Sequence, residues 1–409
     1  MKYNTHTLDN GLRVIHLASA SPVVYCGYAV GAGTRDELPG EEGLAHFCEH
    51  MTFKGTARRR SMQILNCLER VGGDLNAFTN KEDTVFHAAL LREHMPRAVD
   101  LLTDIVLHSA YPQAEVEKEI EVVCDEIECY NDSPAELIYD RFENMVFSGH
   151  PLGHNILGTQ ERLRQYTHGD VARFTARHYR PENMVFFAYG DVSFDRLVRL
   201  LERATADQPH CRPLTDKSRK AAVPEYTPRE ETVTRGTHQA HVMTGSRAYS
   251  VHDRRRFALY LMNNMLGGPG MNARLNIALR EKHGLVYTVD SSMVSYSDTG
   301  MWCTYFGCDP HDVKKCRRLV AHELDRLMQK PLSAAALAAA KRQIKGQIGV
   351  ACDNRESFAL DFGRSYLHHG IEKDVARLMA RVDEVTAEDM QAVAQDVFAK
   401  DRMTTLMFV

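Results

Sequence analysis

No stretch of this 409-residue sequence approaches the roughly 18 uninterrupted apolar residues that a membrane-crossing helix needs, so no such segment is expected. The N-terminus, MKYNTHTLDNGLRVIHL, lacks a continuous apolar core and a small-residue cleavage signature, and the chain therefore reads as cytoplasmic. An excess of one charge is missing too: 50 Lys and Arg face 54 Asp and Glu, for a formal net charge of -4. Nothing in that balance would draw a nucleic acid or an anionic membrane. The basic runs at 58–60 and 254–256 are short enough to be solvated helix faces or loops. Ten cysteines occur without a CxxC pair, several inside apolar runs such as LAHFCEH. That usage argues against a disulfide framework and for buried free thiols in a reducing compartment. No HExxH is present, which removes the thermolysin-like pattern, and GGPG at 267–270 is not followed by the lysine of a phosphate loop.

What is present fits two domains of ordinary size. The segment 206–230 is rich in Pro, Lys, Asp and Thr, lacks periodicity, and reads as a linker between domains at 1–205 and 231–409. A faint repeat relates the two sides. Strand-like alternation at 13–17 is matched with that at 240–244, and helical LAHFCEHM at 44–51 with ALYLMNNM at 258–265. Strand pairs follow at 75–91 and 287–306, then long helical segments around 113–129 and 332–350. The expectation is an α+β chain of two homologous α/β sandwich domains, each a mostly antiparallel sheet flanked by helices. The alternative is chance similarity between two α+β domains.

Residues 43–56 read GLAHFCEHMTFKGT. Positions i and i+4 stack on one helix face, so His46 and His50 can present two imidazoles to one ion. Glu49 lies at the edge of that face, where it can reach a metal-bound water without being a ligand. Two imidazoles, a carboxylate and an open position suit zinc. By spacing alone, the set could equally be a polar helix face. Segment 113–129, QAEVEKEIEVVCDEIEC, reads as a helix with Val116, Ile120, Val123 and Ile127 as its core stripe. Glu119 and Glu126 share a face beside that stripe, and either carboxylate could turn toward the histidines; Glu115, Glu117 and Glu121 read as solvated. Other histidines, among them His87, His94, His108, His150 and His154, fit loops, faces and core contacts. Under the repeat, His46, Glu49 and His50 fall opposite Tyr260, Asn263 and Asn264, so the second half keeps the scaffold without metal-binding groups.

HFCEH followed by a distant glutamate resembles the pitrilysin/insulinase family, the inverzincins, whose motif reverses HExxH. The wording of GGDLNAFTNKEDTVFHA, EIEVVCDEI, PLGHNILGT and RPENMVFFAYGD is similar as well, over most of the first half. The resemblance implies one zinc per chain held by His46, His50 and Glu126, with Glu49 as general base and Glu119 assisting. It implies a zinc-dependent endopeptidase that cleaves peptides or unfolded segments inside a closed chamber. Asn76, Ala77 and Phe78 match the family's edge strand, which pairs with an extended substrate. Arg280 and Tyr287 resemble its R-x6-Y element, which reaches the substrate from the non-catalytic domain. Full-length members carry four such domains closing as a clamshell, and a chain of two is half of one. Because both the zinc residues and the Arg–Tyr pair occur here, a homodimer is implied; a heterodimer with an inactive paralogue is the other possibility. A catalytically silent scaffold subunit is the alternative function, and an incomplete zinc set would be its mark.

Overall fold

The computed structural model describes residues 2–211 and 222–409, so part of the expected linker, 212–221, lies outside the described residues. Eleven strands form among them, most of them from runs of alternating or continuous apolar residues. These are β1 (Tyr3–Thr7), β2 (Arg13–Ala18), β3 (Val23–Val30), β4 (Asp74–Thr79), β5 (Thr84–Leu91), β6 (Met184–Gly190), β7 (Glu230–Val233), β8 (Ala240–Ala248), β9 (Val286–Ser295), β10 (Gly300–Cys308) and β11 (Thr404–Phe408). Five helices frame the functional residues: α1 (Leu44–Thr52), α2 (Gln113–Asn131), α3 (Pro134–Val146), α4 (Arg256–Gly267) and α5 (Arg355–His369). Two sheets result, ordered β1-β2-β6-β3-β5-β4 and β7-β11-β8-β10-β9. Each is mostly antiparallel with one parallel pair, β2 with β6 and β7 with β11. The expected pair of helix-flanked sheets is therefore present.

The first sheet is buried on both faces. Its central strand β6, MVFFAYG, is apolar almost throughout, the pattern of a strand covered from both sides. One face packs under α1, the helix Met95–Leu107 and the stripe Val116, Ile120, Val123 and Ile127 of α2. The other face lies under α5. There Phe362 meets Tyr3 at 5.3 Å and Phe187 at 6.3 Å between ring centroids, and Gly363 leaves no room for a methyl beside Phe187. In the second sheet, α3 covers β8 and β11 through Leu137, Ile138, Phe142 and Met145 packed on Met243, Leu406 and Phe408.

The division into compact units differs from the contiguous 1–205 and 231–409. One unit runs over Met1–Glu128, His154–Ala221 and Ala351–Asp374, the other over Cys129–Gly153, Ala222–Val350 and Val375–Val409. The reason is that each sheet takes one covering helix from the other half of the sequence: α5 for the first, α3 for the second. Periodicity shows that a helix has an apolar face and not which sheet that face will cover. The strand equivalences also shift. Matching the sheets from their edge strands β4 and β9 pairs β8 with β3 and leaves β7 as the counterpart of β2. The match of 13–17 to 240–244 is thus one strand out, because β7 is a short, polar strand that alternation does not reveal.

A buried ion cluster fixes α5 to its sheet. Asp83, in the turn between β4 and β5, accepts hydrogen bonds from Arg364 Nε and Nη2 at 3.0–3.1 Å, from Asn80 at 2.7 Å, and contacts His368 Nε2 at 2.6 Å. Burial alone would raise the Asp83 carboxyl, but His368 and Arg364 outweigh it and hold it well below the usual carboxylate range. A depressed folded-state pKa contributes stability that is fully present above the unfolded value of roughly 3.9 and is lost as pH falls from there through the lower folded value. Asp83→Ala should therefore cost about 2–4 kcal/mol at neutral pH, somewhat under the full loss of a buried pair because Arg364 is partly exposed. Chemical denaturation would show a constant gap between the two proteins down to about pH 5 that narrows as pH falls below roughly 4; a gap still undiminished at about pH 2 would contradict this account of Asp83. Among the described residues no helix is long and apolar enough to cross a membrane. All ten cysteines are unpaired, and Arg58, Arg59, Arg254 and Arg255 are spent on Asp100, Asp104, Glu384 and Asp253.

Candidate metal centre

Helix α1 is nine residues, LAHFCEHMT, and every residue but His50 is buried. Leu44, Phe47, Cys48 and Met51 face the core, which leaves His46, Glu49 and His50 on the remaining stripe. His46 stands in the first turn and His50 in the last, with ring centroids 4.6 Å apart. Helix α2 lies alongside and brings Glu119 and Glu126, two turns apart, to the same pair. One ligand atom from each of His46, His50 and Glu126 lies within 4.8 Å of the others, and among the described residues this is the one such group of three.

Each member is held differently. His50 Nδ1 meets Glu119 Oε1 at 2.9 Å, which places the ring proton on Nδ1 and leaves Nε2 open toward Glu126, 3.5 Å away. Glu119 is itself ion-paired to Lys54 through its other oxygen. Glu49 accepts a 2.6 Å hydrogen bond from the Thr79 hydroxyl at the end of β4. His46 Nδ1 is buried with no protein partner.

Burial, with the neighbouring His50, lowers His46 to about 3, so its imidazole is neutral. Burial would lower His50 too, but the hydrogen bond to Glu119 and the charges of Glu49, Glu126 and Glu119 turn the net shift upward. Burial raises Glu49, against the opposing Thr79 hydroxyl and His50. Glu119 would also rise by burial; His50 and Lys54 bring it below its ordinary value. This is an electron-rich cluster, three carboxylates around two imidazoles, balanced by Lys54 alone among the groups named. The donors fit a zinc ion: two imidazoles, one of them neutral with an orphaned buried nitrogen, and a carboxylate, with a second carboxylate orienting the half-buried imidazole of His50.

The structure places Asn76, Ala77 and Phe78 on β4, which pairs only with β5 and so leaves its outer edge without a strand partner among the described residues. Asn76 is exposed, and Ala77 and Phe78 are partly buried. Arg280 and Tyr287 belong to the other compact unit. Arg280 sits in a π-helical turn, Asn276–Glu281, with its guanidinium 5.6 Å from the Tyr287 ring centroid, and Tyr287 is 80% exposed. In the second half, α4 carries Tyr260, Asn263 and Asn264 where α1 carries the histidine–glutamate set. The Asn263 carboxamide accepts from the buried Trp302 indole, a packing role.

Sequence reasoning overlooked Lys54 and Thr79. Lys54 was legible in principle, since it continues the i, i+4 series from His46 and His50 by one more step. Thr79 was not, because its contact with Glu49 depends on where the end of β4 passes α1.

Residues 13–160 match the family described as Insulinase (Peptidase family M16), and residues 165–344 match the Peptidase M16 inactive domain. An uncharacterized zinc protease of Streptomyces coelicolor is 32% identical over 96% of this chain and 87% of its own. One of Bacillus subtilis is 30% identical over 98% and 97%. The mitochondrial-processing peptidase subunit beta of Bos taurus is 30% identical over 94% of this chain and 80% of its own. The crystal structure of a protease from Helicobacter pylori superposes with a TM-score of 0.90 over 100% of this chain and 99% of that one, at 21% identity, a likeness of fold.

Proposed function

The chain belongs to the insulinase family, peptidase family M16, and from that premise we propose that it is a zinc-dependent endopeptidase acting on peptides or unfolded segments. The observation that carries the reading is the convergence of His46, His50 and Glu126 to within 4.8 Å beside a buried Glu49. His46, His50 and Glu126 would hold the ion. Bound there, zinc supplies Lewis acidity that polarises the scissile carbonyl and acidifies water. Glu49, with its carboxylate oriented by Thr79, takes the proton from the attacking water and passes it to the leaving amine. Glu119 keeps the His50 ring turned, and Lys54 keeps Glu119 charged. Substrate lies extended along the free edge of β4 at Asn76, Ala77 and Phe78, bound largely through its backbone.

The same reading takes the working assembly as a homodimer, Arg280 and Tyr287 of one protomer serving substrate at the zinc of the other, around a closed chamber. Support comes from the exposure of Tyr287 and its stacking with Arg280, which leave phenol and guanidinium available to a peptide. Sedimentation velocity of the active species should show two copies of the chain; an active monomer would remove this part. The complete set His46, Glu49, His50 and Glu126 weighs against a silent scaffold.

A quenched fluorescent peptide library, with and without a chelator, tests the reading. Cleavage of short peptides that stops on chelation and returns with zinc supports it, and a protein that cleaves nothing in the presence of zinc overturns it. Thr79→Val should lower kcat roughly 10–100-fold, the loss of a hydrogen bond to a charged group of about 1.5–3 kcal/mol, with zinc content unchanged. Equal kcat in the two proteins would show that Thr79 does not orient Glu49.

A further inference from the structure

The first turn of α1 has no cap of its own. Its N-cap is Gly43, in the left-handed region at φ 87° and without a side chain to accept from the turn. A side chain at Gly43 is precluded by close approach as well, since a Cβ would stand 2.7 Å from the Cα of Gly158. His46 sits in that turn. Unlike His50, which Glu119 orients, His46 has no protein partner for its buried Nδ1. Its position therefore depends on how firmly the turn itself is held.

Glu37, seven residues upstream of the helix, reaches into this gap. Its side chain is fully buried, and its Oε1 accepts a 3.0 Å hydrogen bond from the Ala45 N–H, one of the orphan donors of a helix N-terminus. Its Oε2 is buried without a hydrogen bond and stands 3.8 Å from the buried Nδ1 of His154, within reach of an ion pair and with no other hydrogen bond to that nitrogen. Burial pushes the Glu37 carboxyl up to about 7, against His154 and the Ala45 and Gly43 N–H groups, so the structure tolerates an expensive carboxylate at this point. A serine or aspartate cap is the ordinary solution at a helix start, and the contact between Gly43 and Gly158 forbids it here. His154, within PLGHNILGT, closes the far side of Glu37 and ties that segment to the helix start.

Resting on the zinc reading above, we infer that Glu37 is a positioning residue for the metal centre: capping α1 from outside, with His154 behind it, it fixes the first turn and hence His46. What matters is the reach of the acceptor to Ala45 N–H. Glutamine keeps that reach and can donate to His154, whereas aspartate keeps the charge and is one methylene too short.

The test compares full-length wild type, Glu37→Gln, Glu37→Asp and Glu37→Ala. Zinc affinity is read by competition with a chelating dye, and the visible spectrum is read on the cobalt-substituted protein. Glu37→Gln should stay within roughly 3-fold of wild type, while Glu37→Asp and Glu37→Ala should bind zinc about 10–100-fold more weakly, the range for loss of a supporting residue, with shifted cobalt bands. Should Glu37→Ala fail to fold, the Gln and Asp pair alone decides. Wild-type affinity and spectrum in Glu37→Asp, with only a lower melting temperature, would overturn the inference and leave the zinc reading intact. A wild-type protein that binds neither ion would instead mark the failure of the zinc reading and remove this inference with it.

Discussion

Glu49→Gln will keep its zinc and lose peptide cleavage by on the order of 10²–10⁴-fold, the contribution expected of a positioned general base. The side chain is isosteric, and the amide oxygen can still accept from the Thr79 hydroxyl that now binds the carboxylate at 2.6 Å. Fold and packing of α1 should therefore be unchanged. Glu49 is not among the three residues whose ligand atoms converge, so zinc content should match wild type. What the amide cannot do is accept a proton. Steady-state kinetics on a fluorogenic peptide, beside elemental analysis of the same samples, separates the two effects. Near-normal cleavage would remove Glu49 from the base role, and loss of zinc would make it a ligand or a support.

Glu126→Ala will lose zinc while remaining folded. The Glu126 side chain is 44% exposed, and its removal opens no cavity in the core stripe of α2. Surface changes of that kind alter stability by about 0.5 kcal/mol or less. Its share of the metal binding is much larger. Roughly 10–16 kcal/mol of binding divided among the ligands of a zinc site gives about 3–4 kcal/mol each, or on the order of 10²–10³-fold in affinity. Chelator competition and a thermal melt on the variant check both halves of the expectation. Glu121→Ala, on the same helix with a 66% exposed side chain, serves as the control and should bind zinc as wild type does. Equal zinc affinity in Glu126→Ala and Glu121→Ala would mean that the ion, if bound, is held elsewhere.

Much of the site could be read in the sequence because helices are regular. Four-residue spacing puts His46 and His50 on one face, and seven-residue spacing puts Glu119 and Glu126 on one face, whatever surrounds them. The convergence of the two helices was not legible from periodicity; it came from a resemblance of wording, and the structure supplies the distances. Residues that support the site from loops and strand ends were missed. Thr79 and Lys54 entered only inside longer motifs and with no role of their own, Glu37 went unremarked, and His154 was grouped with loops, faces and core contacts; apart from the four-residue step from His50 to Lys54, none of their contacts follows from a repeat in the chain.

The fold divides the same way. Two helix-flanked sheets follow from alternation and apolar runs. The crossing of α3 and α5 to the sheet of the other half does not, because an apolar face carries no address. The unit boundaries at Glu128, Gly153 and Asp374 fall where the chain leaves one sheet for the other, away from the Pro-rich segment near 206–230.

The central claim is that one zinc ion, held by His46, His50 and Glu126, makes this chain a peptidase. Titrating zinc into chelator-stripped protein while following peptide cleavage tests it in one measurement. Activity should start near zero, rise linearly and stop at one zinc per chain. Activity that survives stripping, or a protein that takes up its zinc and remains inert toward every peptide, would contradict the account.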